Sequence, residues 1–110
     1  MTSLSKLAKA QITRFPEVVA TVVTDRAGTL LESTGDVDGE TVGAVHAVSA
    51  EALGRTGEAL GLGGLQRASV SGPKKVCIIA TYDEEIVGIY VDPTKSLGAF
   101  EKKLEGVLRQ

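Results

Sequence analysis

The chain has 110 residues, 43% of them hydrophobic and 24% charged, with a formal net charge of −2. That is the size and make-up of one globular domain with one core, residues 1–110. The acidic balance argues against nucleic acid, because phosphate binding needs a basic field. No apolar run approaches the roughly 18 residues of a membrane span, so no insertion into a membrane is expected.

The first helix is expected from about Ser3 to Arg14, with Leu4, Leu7, Ala8, Ile12 and Phe15 at helical spacing and Pro16 as the stop. Lys6 and Lys9 precede no unbroken apolar segment, so no secretory leader is read here. Glu17–Thr24 is rich in β-branched residues and predicts a strand with both faces covered. Asp25-Arg26-Ala27-Gly28 reads as a tight turn into a second strand, Thr29–Ser33. Asp38 is placed to cap a long helix from Glu40 to Gly61. Glu51 and Arg55 form an i,i+4 pair on its outer side. A third strand, Leu65–Ser71, is polar enough to lie at a sheet edge. Val76–Tyr82 and Ile86–Val91 are nearly continuous apolar strands, which need helices on both faces of the sheet. The last helix is expected from Leu97 to about Arg109, capped by Ser96. The order α-ββ-α-βββ-α predicts an α/β (α+β) fold: a five-stranded antiparallel sheet with the long helix on one face and the terminal helices on the other.

The long helix carries two stripes at about 100° per residue. Val42, Val45, Ser49, Leu53, Thr56 and Leu60 make one, the expected core face. Gly43, Ala47, Ala50, Gly54, Gly57 and Gly61 make the other. A mid-helix glycine costs roughly 1 kcal/mol against alanine. Gly43, Gly54 and Gly57 therefore call for a backbone that comes close. The residues alone leave open whether that backbone is the chain's own sheet or a second subunit; His46 lies beside the stripe.

Recognisable catalytic chemistry is sparse. His46 and Cys77 are the only histidine and cysteine. They give no metal-ligand spacing and no intramolecular disulfide. Cys77 reads as a buried structural thiol of a reduced, cytoplasmic protein. Gly61-Leu62-Gly63-Gly64 follows a helix rather than a strand, the reverse of a dinucleotide-binding turn. Ser71-Gly72-Pro73-Lys74-Lys75 lacks the spacing of a phosphate-binding loop. Asp83-Glu84-Glu85 reads as a solvated hairpin tip. Four aromatic residues, two Tyr and two Phe, do not suggest a roomy ligand pocket. No cofactor and no catalytic residue are expected.

The element order, the run Val22–Ser33 with its D-x-x-G hairpin, the small-residue helix and Ser96-Leu97-Gly98 together resemble the Roadblock/LC7 domain. The resemblance covers about Ser3 to Leu108. It implies a non-enzymatic homodimer in which the long helices pack antiparallel and the third strands meet. It also implies a partner: the family includes platforms for small Ras-like GTPases, and a bacterial MglB-like branch regulates polarity and gliding through one. On that resemblance the candidate dimer interface is Gly43, His46, Ala47, Ala50, Gly54 and Gly57 on the helix, with Gln66, Arg67 and Ser69 on the third strand. Gln110 follows closely on the third helix, so scaffolding is expected rather than strong GTPase activation. The competing expectation is an adaptor for a kinase or motor complex without a GTPase.

Overall fold

A computed structural model describes residues 6–73, 75–81, 84–92 and 97–108. Its elements are α1 (Lys6–Arg14), β1 (Val18–Asp25), β2 (Leu30–Thr34), α2 (Gly39–Ala59), β3 (Arg67–Ser71), β4 (Val76–Thr81), β5 (Glu85–Val91) and α3 (Leu97–Leu108). The expected start of the first helix at about Ser3 and the expected cap at Ser96 lie outside the described residues. The strands form one sheet in the order β2-β1-β5-β4-β3, and every neighbouring pair is antiparallel. The expected element order and fold class are those observed. β3 is an edge, as its polarity predicts, and β2 is the other.

Local chemistry explains the joints. The Asp25 carboxylate accepts from the backbone N–H groups of Ala27 and Thr29, both at 2.9 Å. Gly28 takes φ +92°, which closes the turn without a Cβ clash. Asp38 caps α2, accepting from the Thr41 hydroxyl at 2.8 Å and its N–H at 3.4 Å. β3 begins at Arg67, later than Leu65, because Thr81 pins the preceding residues. Its hydroxyl donates to the Leu65 carbonyl and its N–H to that of Gln66.

The main core lies between the sheet and the two terminal helices. Ile12 of α1 and Phe100, Leu104 and Val107 of α3 pack on Val23, Ile78, Val87, Ile89 and Val91. Phe15 meets Phe100 edge to face at 5.8 Å. Lys103 lies over the Phe15 ring and reaches the Glu17 carboxylate at 2.7 Å. Lys9 reaches Glu85 at 3.3 Å. These two lysines tie both helices to largely buried acids on the sheet side of the core.

The opposite face carries α2 alone. A smaller cluster there joins Ala47 and Ala50 to Ile79 and Ile86, with Leu65 and Cys77 alongside. Cys77 is half-buried at its margin, not a member of the main core as its apolar strand predicts. Strand alternation sends Cys77 to the thinly covered face and its neighbours Val76 and Ile78 to the thick one.

Candidate functional site

The N-terminal half of the small stripe, not the valine stripe, is the part of α2 buried on the sheet, contrary to the expected assignment. Gly43, His46, Ala47 and Ala50 are buried on the chain's own sheet. Val45 and Leu60, assigned to the core, are exposed. Val42 and Leu53 are half-buried. The cause is helix–sheet distance. A β-carbon on Gly43 would stand 2.5 Å from Thr24 Cγ2, so only glycine lets β1 come this close. The small residues let the helix settle onto its own sheet, and the valines are left outside.

Each candidate interface residue can now be placed. Gly43, His46, Ala47 and Ala50 lie beneath α2. Gly54 and Gly57 look toward the chain that returns from the helix: added β-carbons would meet Leu65 Cβ at 4.0 Å and the Gly63 carbonyl at 2.8 Å. Gln66 is exposed just ahead of β3. Arg67 and Ser69 project to the α3 side, toward Glu105 at 4.0 Å and Glu101 at 3.2 Å. The edge of β3 stays available, but these two side chains are committed within the domain.

The orientation of α2 shows what its outer flank overlooks. His46 leans toward Cys77 on β4, while Ala47 leans toward the β1–β2 turn. Val42, Ser49 and Leu53 lie on the His46 side of the axis, so they face the β4–β3 half of the sheet. α2 packs over β1, β2, β5 and β4. On β3, Val70 pairs with Cys77 and Ala68 with Ile79, so both belong to the α2 face. Val70 is nevertheless 58% exposed. Among the described residues, seven large hydrophobic side chains are exposed; Val45, Val48, Leu60, Leu62 and Val70 are five of them. These five sit on the outside of α2, on the chain leaving it, and on the open side of β3. Leu62 borders a groove of 500 Å³ that Ala68 and Ser69 also line. Apolar side chains exposed together among polar neighbours make this the candidate interaction surface.

Sequence reasoning missed this surface because valine at helical spacing reads as core. The signal was present in the other stripe: glycines fit the nearest backbone, and the nearest backbone is the chain's own sheet.

Beneath α2 lies a polar cluster. His46 Nε2 is 3.1 Å from the Tyr90 hydroxyl and 3.6 Å from Cys77 Sγ. The His46 ring covers Gly88, where a β-carbon would collide with it. Burial lowers the His46 pKa from 6.5. Burial raises the Cys77 thiol and lifts Tyr90 to about 12, with Cys77 adding to the tyrosine's shift. All three stay neutral near pH 7, and a protonated thiol is a poor nucleophile. Among the described residues, no three His, Cys, Asp or Glu side chains converge as a metal-binding group. Nor is any described helix long and apolar enough to cross a membrane.

The architecture is that of the Roadblock/LC7 domain. It aligns with MglB of Myxococcus xanthus at TM-score 0.83 and 16% identity, over 97% of this chain and 93% of that one. A Roadblock/LC7 domain from Streptomyces avermitilis aligns at TM-score 0.78 and 11% identity, over the same shares. An MglB structure described as having a tetrameric arrangement aligns at 0.76 and 17%, over 94% of this chain and 84% of that one. At these identities the likeness is one of fold. No family model and no curated protein matches the sequence.

Proposed function

We propose that this protein is a non-catalytic, cytoplasmic, homodimeric scaffold that binds a small Ras-like GTPase and modulates its nucleotide state. The observation that carries the reading is the exposed apolar flank of α2, on the same face of the sheet as exposed Val70 of β3. Two copies related by a two-fold axis bring these surfaces together, α2 beside α2 and β3 edge beside β3 edge. Such an isologous contact covers Val45, Leu53, Leu60 and Val70 on both subunits at once. The MglB neighbour with a tetrameric arrangement supports self-association of this fold.

Pairing leaves the top of α2 open. Val48, Ala52 and Ala59 face directly away from the sheet, with Glu51 and Arg55 beside them. The dimer doubles this strip into a platform, and we assign the GTPase to it. The scaffold needs no reacting group of its own. Preferential binding of one switch conformation shifts the partner's nucleotide cycle.

The test is to mix the purified protein with Ras-like GTPases of the source genome, in GDP and GTP forms, and follow complex formation and nucleotide turnover. A complex that prefers one nucleotide state supports the proposal. Failure to bind either form, alongside reproducible capture of a kinase or motor component, would favour the adaptor reading instead.

A further inference from the structure

We infer that His46 is an acid-sensitive latch that holds α2, and with it the docking flank, against the sheet. The inference rests on the proposed dimer only for its effect on assembly; its effect on α2 stands without it.

His46 is 4% exposed and sits in the first half of α2, about two turns from its start. Its ring covers Gly88 of β5, and Nε2 meets Tyr90 of β5 and Cys77 of β4. Nδ1 is buried and, among the described residues, has no hydrogen-bond partner. An imidazolium carries two N–H donors and needs an acceptor for each. Here Tyr90 and Cys77 gather at one nitrogen, and nothing serves the other.

Among the described residues, the surroundings hold no compensating charge. The α2 face of β1 presents Ala20, Val22 and Thr24. That of β5 presents Ile86, Gly88 and Tyr90, and that of β4 Cys77, Ile79 and Thr81. On β3, Ala68 and Val70 lie on this face. Tyr90 and Cys77 are the titratable groups among them, and both are neutral. Glu40, Glu51, Arg55 and Glu58 of α2 are exposed, on the far side of the helix or beyond the next turn. No described carboxylate faces the ring.

A charged His46 therefore has to leave. Its exits are lifting α2 or swinging into the flank formed by Val42, Ser49 and Leu53, within about 60° of it on the helix. Either deforms the surface offered to a second copy. The sign follows from burial. The folded domain holds the imidazole pKa below 6.5, so the unfolded or lifted state takes up the proton first. The latch is fully closed above pH 6.5. It opens as pH falls from there toward the folded-state value.

The chain has a single histidine, so its imidazole resonances are unambiguous. The experiment follows those resonances by NMR from pH 8 to 5, together with α2 amide exchange and sedimentation. We expect faster α2 exchange and a dimer weakened by up to about tenfold between pH 7.5 and 5.5, tenfold being one pKa unit. In His46→Gln, a neutral side chain that still reaches toward the Tyr90 hydroxyl, both should become flat with pH. An imidazole titrating at its ordinary value in an unchanged folded domain overturns the latch, and this wild-type readout holds even if the variant fails to fold. A monomer at every pH would count against the proposed dimer, while α2 exchange would still decide the latch.

Discussion

Gly43 of α2 rests directly on the Thr24 side chain of β1, with no β-carbon of its own between them. A β-carbon on Gly43 would lie 2.5 Å from Thr24 Cγ2, and Thr24 is fully buried. The β-branched threonine has no free rotamer into which to retreat. Gly43→Ala should therefore destabilise the fold by about 1–3 kcal/mol through overpacking, despite the helix propensity it gains. Thermal denaturation should show a drop of several degrees. Adding Thr24→Ala should recover part of the loss, and a double-mutant cycle would measure the coupling. Strict additivity would mean that these two groups do not set the helix–sheet distance.

Gly54, three turns on, should answer the same substitution with the opposite sign. Its nearest neighbour for an added β-carbon is Leu65 Cβ at 4.0 Å, an ordinary contact distance. Gly54→Ala should stabilise by up to about 1 kcal/mol, since only the propensity term remains. A lower denaturation midpoint would show that the helix must approach the Leu65 segment more closely.

Thr24 has a second consequence. Among the described residues, its buried hydroxyl oxygen has no hydrogen-bond partner. Thr24→Val keeps the branched shape and removes the unsatisfied group. It should stabilise by about 1 kcal/mol, which urea denaturation with unchanged slope would register. A loss instead would reveal a partner for that hydroxyl, such as a bound water.

These positions also show what the sequence made legible. The Asp25–Gly28 turn, the Asp38 cap and the Glu51–Arg55 pair depend on residues a few places apart, and each is formed, the pair at 2.5 Å. The two-sided covering of the sheet follows from the apolar β4 and β5, and the edge place of β3 from its polarity, whereas the order of the other strands rests on pairings between distant segments. The facing of α2 does not follow from local pattern, because both of its stripes are apolar enough to bury. Deciding between them requires knowing that Thr24, Gly28 and Gly88 present bare or short positions under the helix. Those are contacts from distant parts of the chain. The His46–Cys77–Tyr90 cluster was hidden for the same reason: its members lie on α2, β4 and β5, far apart in sequence.

Val45 offers the sharpest test of the docking flank. It is 58% exposed on the side of α2 that overlooks β4 and β3. Val45→Glu places a charge there without touching the chain's own core. The monomer should keep its stability within about 0.5 kcal/mol, as surface changes do. Self-association should weaken by tenfold or more, because an isologous interface buries the new carboxylate twice, near its own copy, and unpaired buried charge is heavily penalised. Gly54→Leu, by contrast, adds bulk toward Leu65 and should leave self-association largely intact. Sedimentation velocity over a concentration series separates the two. If Val45→Glu dimerises like the wild type and Gly54→Leu does not, the second copy binds the Gly54 side of the helix, and the assignment of the flank is wrong.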